Sequence, residues 1–191
     1  IAHEMFFDSN LSVIIGTGHP EYDNQGKPLV NPNYTWIGED TWKTILGEKK
    51  IKDENSTKDI DGDGKPDAWT LIEDSVDFSS IANGKNIPLR LAGMPKIHET
   101  LQAYRANPEI GKSGDLYGDK KFEPYQLPRN KGIPQLSELS LAALNVLNQN
   151  ENGFYLMIEG GAIDWANHAN QLGIMIEEQS DFNRAVEAVV E

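Results

Sequence analysis

Asp164 and His168 stand four residues apart, shortly after Glu159-Gly160-Gly161. On a helix beginning near Ala162, that spacing projects both side chains from one face with their tips a few ångströms apart. A carboxylate and an imidazole so placed can share one zinc ion, whose borderline softness accepts oxygen and nitrogen together. Glu159 would end the preceding strand and could hold a harder ion such as magnesium beside it. Taken alone, an Asp and a His at helical spacing more commonly form only an exposed ion pair, which contributes little. Three features weigh toward a metal site: an acidic residue closing a buried strand, a double glycine that permits a sharp turn, and a ligand pair in the first helical turns.

A second pattern places carboxylates at alternate positions in Asp59-Ile60-Asp61-Gly62-Asp63-Gly64-Lys65-Pro66-Asp67. In a calcium loop, positions one, three and five give side-chain oxygens, position six must turn freely and position seven gives a backbone carbonyl. Those positions fall on Asp59, Asp61, Asp63, Gly64 and Lys65, with Asp67 at position nine. Thr70 stands where an EF-hand has its closing Glu, and no flanking helix pair is evident. The segment is therefore expected to be a calcium loop of another type, because four neighbouring carboxylates repel one another without a cation. A solvated acidic turn is the competing reading.

The elements that must position these groups fall into three zones. Residues 1–18 hold a short helix-like start and a strand over Leu11–Ile15 that runs into Gly16-Thr17-Gly18. Residues 19–133 are dense in Pro, Gly, Asn, Asp and Lys, and are expected to form a large irregular inserted lobe. Within this lobe Ile97, Leu101 and Tyr104 would line one face of a helix over Ile97–Arg105. Residues 134–191 are a core segment: a helix carrying Leu136, Leu139, Ala143, Leu144 and Leu147, an apolar strand over Phe154–Ile158, the Gly turn, and a further helix from Ile174 onward. Helix, continuous apolar strand, Gly turn and helix predict an α/β fold whose parallel sheet is buried on both faces. Both ends of the sequence are expected to be cuts within a larger protein.

Composition narrows the function. With 17 basic and 30 acidic residues the 191-residue chain has a formal net charge of −13, which disfavours binding to a nucleic-acid backbone through charge and suits divalent cations. The longest apolar runs, Val13-Ile14-Ile15 and Phe154–Ile158, are far too short to span a bilayer. The absence of cysteine removes disulfides, thiolate zinc sites and cysteine nucleophiles.

Glu159-Gly160-Gly161, Ile163-Asp164 and His168 resemble the metal-ligand segment of the alkaline phosphatases. The likeness runs upstream through Pro134-Gln135-Leu136-Ser137-Glu138-Leu139, Ala142-Ala143-Leu144 and Gly153-Phe154, and downstream to Phe182-Asn183-Arg184-Ala185-Val186. Val13-Ile14-Ile15-Gly16-Thr17-Gly18 resembles the family's strand and Gly turn before its insertion. This resemblance implies a partial parallel-sheet core of that family with residues 19–133 as a crown-like lobe. It implies that Glu159 is a magnesium ligand, that Asp164 and His168 hold zinc, and that Trp165 is a candidate phosphate contact. The parent enzyme would hydrolyse small phosphomonoesters through a phosphoserine intermediate, in the periplasm or secreted, with the lobe as a candidate homodimer contact. No catalytic residue is assigned in this chain: Ser79, Ser80, Ser137 and Ser140 lie in no strand-to-helix elbow, so the chain alone is expected to be inactive. The alternatives are a non-catalytic calcium-binding or interface module, and a related metal-dependent phosphodiesterase or sulfatase.

Overall fold

The computed structural model describes residues 1–7, 10–48, 59–105 and 119–191. Six helices and three strands occur among them: α1 (Ala2–Phe7), β1 (Val13–Ile15), α2 (Glu39–Ile45), β2 (Thr70–Ile72), α3 (Ser75–Ala82), β3 (Leu91–Gly93), α4 (Leu136–Leu147), α5 (Ala162–His168) and α6 (Leu172–Val190). The strands form one parallel sheet in the order β1-β3-β2, with Val13 and Thr70 both opposite Leu91. Two of its three strands thus come from the stretch read by texture as an inserted lobe.

Side chains alternate across this sheet as a strand's period of two requires. Ala92 of the central strand, with Ile14 and Leu71, faces a cluster containing Phe6, Phe7, Ile37, Trp42 and Met94. Leu91, with Val13, Ile15 and Ile72, faces Phe78 and Ile81 of α3 and Leu139, Ala142 and Val146 of α4. Both faces are covered, so these strands read as apolar runs rather than as alternation. A glycine ends the central strand where close packing demands one. A Cβ on Gly93 would lie 2.8 Å from the Phe78 ring and 2.9 Å from Ile15 Cγ1.

Two elements depart from expectation. Residues 97–105 form bends and turns rather than a helix, although Ile97 and Tyr104 of the predicted apolar face are buried and Leu101 is half-buried. Their backbone donors are bonded elsewhere: His98 N–H to the Asp23 carbonyl, Glu99 N–H to Asn24 Oδ1, and Tyr104 N–H to Thr100 Oγ1. The first two would be free in the opening turn of a helix, but the third goes to a side-chain hydroxyl where a helix would use the Thr100 carbonyl. Residues 154–158 are the second departure, since no strand pairs with them among the described residues. Phe154, Tyr155 and Met157 are exposed and Leu156 and Ile158 half-buried, so the segment lacks both the predicted ladder and the burial on both faces that its continuous apolar run implied.

A third cluster, of Ala103, Tyr104, Phe122, Ala166 and Ile174, seats α5 and α6 on the turns at 101–105 and 119–130. Charged side chains reinforce that seat. Arg105, 5% exposed, reaches both oxygens of Glu177 on α6 at 2.8 and 3.0 Å, and Tyr125 N–H donates to Glu177 Oε1. Arg129 pairs with Asp181 one helical turn further on.

Candidate metal centre

The turn that carries the candidate ligands is built around small residues. The Ile163 N–H donates to the Gly160 carbonyl and starts α5 immediately. A Cβ on Gly160 would come within 3.0 Å of Ile163 Cδ1 and of the Phe182 ring, so its absence lets α6 close over the turn. Glu159 lies alongside Gly161, where an added Cβ would sit 3.4 Å from Glu159 Oε1. Its position corrects the sequence reading in one respect: Glu159 follows a segment that pairs with no strand among the described residues.

α5 brings Asp164 and His168 together as their spacing predicts. Asp164 Oδ1 and His168 Nε2 are 3.5 Å apart, and both side chains are largely exposed at 71% and 81%. Two ligands each about 2 Å from a tetrahedral zinc stand about 3.3 Å apart, so this pair fits two of the four positions around such an ion without rearrangement. Glu159 does not join them in one compact group. The group of three acidic or imidazole side chains with ligand atoms within 4.8 Å of one another, among the described residues, lies elsewhere, at Asp59, Asp61 and Asp67.

That acidic loop is wound by its own carboxylates. Asp59 accepts from the Gly62 and Gly64 N–H groups at 2.6 and 2.9 Å, Asp61 from the Asp63 N–H at 3.0 Å, and Asp67 from the Ile60 N–H at 2.7 Å. Asp63 is not part of the group. Its carboxylate accepts from the Lys65 N–H and pairs with Lys65 Nζ at 3.3 Å. The loop is tied to the sheet through the Asp67 carbonyl, which accepts from Arg90, a buried guanidinium 3.9 Å above the Trp69 ring.

Trp165 does not stand beside Asp164 and His168 as an isolated side chain. It is half-buried, with its ring edge-on to Tyr104 at 5.8 Å and tilted by 36° against Trp36 at 6.3 Å. The serines are likewise where the sequence put them, with Ser79 and Ser80 inside α3 and Ser137 and Ser140 inside α4.

Sequence spacing gave no tie among the remaining histidines, yet two of them meet at the carboxyl end of the sheet. His19 and His98 are fully buried, and His98 Nδ1 lies 3.1 Å from the His19 carbonyl. His19 Nδ1 accepts from the Glu21 N–H, which leaves the proton on Nε2 to be donated to Glu73 at 2.6 Å. Glu73 follows β2 directly and His19 follows β1 by four residues, so this network joins the ends of both edge strands. Only the tertiary pairing of β1 and β2 with β3 could have revealed it.

A parallel α/β core with a carboxylate–imidazole pair on the helix after a double-glycine turn defines a candidate divalent-metal protein. Residues 112–191 match the family model described as alkaline phosphatase. Alkaline phosphatase 3 of Bacillus subtilis (strain 168) is 38% identical over 68 residues, which are 36% of this chain and 15% of that protein. The alkaline phosphatase of Gadus morhua is 44% identical over 64 residues, 33% of this chain and 13% of the relative. The repressible alkaline phosphatase of Saccharomyces cerevisiae (strain ATCC 204508 / S288c) matches more of the chain, 70%, at 26% identity, and that stretch is 21% of its length. The carboxyl-terminal part of the chain is thus similar to the alkaline phosphatases, and the small parallel sheet with its helices is consistent with a partial α/β core of that kind. It spans a small part of the length of each of these relatives.

Proposed function

We propose that this chain is part of a metal-dependent phosphomonoester hydrolase in which Asp164 and His168 hold a zinc ion and Glu159 a magnesium ion. The observation that carries the reading is the 3.5 Å Asp164–His168 pair, exposed and matched to tetrahedral zinc, inside the segment that matches the family. When bound, such ions supply Lewis-acid stabilisation of charge on phosphoryl oxygens and a lowered pKa for an attacking oxygen. The chain's own part is to orient: α5 fixes the two tips, and the Gly160–Phe182 contact holds the turn against α6. The phosphoserine route, a small phosphomonoester substrate, a homodimer formed through the lobe and a periplasmic or secreted location belong to the same proposal. No helix among the described residues is long and apolar enough to cross a membrane. In the full-length protein, replacing His168 by Ala should lower bound zinc by about one ion per chain, measured by elemental analysis after gel filtration. Unchanged zinc stoichiometry would overturn the assignment.

A second reading, of residues 59–67 as a calcium loop, is supported by the compact Asp59, Asp61 and Asp67 group. Asp63 would have to turn from Lys65 to join it, and Lys65 would contribute its carbonyl. Calcium-dependent melting tests it.

A further inference from the structure

Four tryptophans divide into two pairs. The indole N–H of Trp42 donates to Glu21 Oε1 and that of Trp69 to the Phe6 carbonyl, and both rings pack into the cluster on one face of the sheet. Trp36 and Trp165 have no such hydrogen bond among the described residues. These two are also the pair whose rings meet, 6.3 Å apart and inclined by 36°. Trp36 is 48% exposed, a large apolar surface for so big a ring to leave in water.

Their position gives that exposure a use. Trp165 stands three residues before His168 on α5, a spacing that makes the two side chains neighbours on the helix surface. Tyr104 backs it edge-on and fixes its plane, with an interplanar angle of 89°. Trp36 is brought alongside from the loop after β1. Gly18, at φ 108°, makes room for it, because a Cβ there would stand 3.0 Å from Trp36 Cβ. The result is an aromatic pair backed by Tyr104, with about half of Trp36 left in water.

We propose that Trp36 and Trp165 form a stacking platform for the leaving group of the phosphomonoester, selecting substrates whose leaving group carries a flat aromatic ring, such as nucleoside monophosphates and aryl phosphates. This rests on the reading of Asp164 and His168 as zinc ligands that hold the phosphate. Stacking a base on an aromatic side chain is sequence-tolerant and strong enough to change affinity by about tenfold or more. Trp36 is the specificity-determining member, since Trp165 is also fixed by Tyr104 and the core.

The test compares AMP with ribose 5-phosphate on the full 191-residue chain in zinc, by tryptophan fluorescence and by NMR saturation transfer to the adenine protons. AMP should bind about tenfold more tightly, with the strongest transfer at the base. Trp36→Ala and Trp36→Leu should bring AMP down to the ribose 5-phosphate level and leave ribose 5-phosphate unchanged, whereas Trp36→Phe keeps most of the preference. Equal affinities in the unmodified chain, or a Trp36→Ala loss shared by both ligands, would overturn the platform. Zinc-dependent ribose 5-phosphate binding that His168→Ala abolishes reports separately on the phosphate site. If that dependence holds without an AMP preference, only the platform falls. If it fails while the adenine still saturates from an intact Trp36, the platform stands and the zinc reading falls. Binding of neither ligand overturns both.

Discussion

Glu178 on α6 lies among Asp181, Arg129, Arg105 and Glu177, and its Oε1 is buried without a hydrogen-bond partner. Burial first, and the neighbouring Asp181 second, push its carboxyl up from 4.5 to about 7, against the opposing pull of both arginines. The folded chain therefore keeps this proton in a range where the unfolded chain has released it. With more protons on the folded state, stability falls as pH rises from about 4.5 to about 7 and levels off above, a loss of at most ~3 kcal/mol. Glu178→Gln should flatten that part of the stability–pH profile and leave the variant more stable than the parent at pH 8. Urea midpoints measured between pH 4.5 and 8 check this, and parallel profiles for the two proteins would show that Glu178 is not the group responsible. Arg105–Glu177 is the contrasting case, a buried pair whose charges satisfy one another and the Tyr125 N–H.

At the scale of elements, the acidic loop shows what a cation would couple. Asp59, Asp61 and Asp67 converge, and the Asp67 carbonyl is held by Arg90, which also bonds the Leu11 carbonyl ahead of β1. Ordering this loop should therefore be felt by the sheet. At calcium near 100 times its dissociation constant the gain is about 2.7 kcal/mol by mass action, or roughly 5–10 °C in melting temperature for a chain of this size. Asp61→Ala should abolish the gain while Asp63→Asn retains most of it, and a melting curve indifferent to calcium and chelator would return the loop to a solvated turn. How much of the molecule is legible in sequence depends on where its hydrogen bonds go. α4 and α6 follow from apolar periodicity because their own ladders satisfy their backbones, and the Asp164–His168 pair follows from a four-residue step on such a ladder. β2 and β3 are three residues each in Gly- and Pro-rich surroundings, too short for a period of two to show. The spacing of Ile97, Leu101 and Tyr104 is helical, but Thr100 Oγ1 holds the Tyr104 N–H that a helix would give to the Thr100 carbonyl, and Asp23 and Asn24 bind the backbone ahead of it. The Trp36–Trp165 contact links positions 129 apart, and no local pattern announces it.

On the scale of the whole molecule, catalytic power is a question of how many groups converge. In-line phosphoryl transfer between two metals needs both ions about 4 Å apart, a positioned nucleophile and donors preorganised around the phosphoryl oxygens. Of these groups, Asp164 and His168 supply two zinc ligands and Glu159 one candidate magnesium ligand, while Ser79, Ser80, Ser137 and Ser140 are held within helices. Two exposed protein ligands hold zinc weakly, and a net charge of −13 repels the phosphate dianion wherever bound cations do not offset it. Phe154, Tyr155 and Met157, which lead into the ligand turn, are exposed and pair with no strand among the described residues. The 191-residue chain with zinc and magnesium should therefore hydrolyse p-nitrophenyl phosphate no faster than the metals alone, at pH 7 or pH 10, even where it binds AMP on its tryptophans. Activity that co-elutes with the chain and disappears in Asp164→Ala would show that these few ligands suffice for turnover.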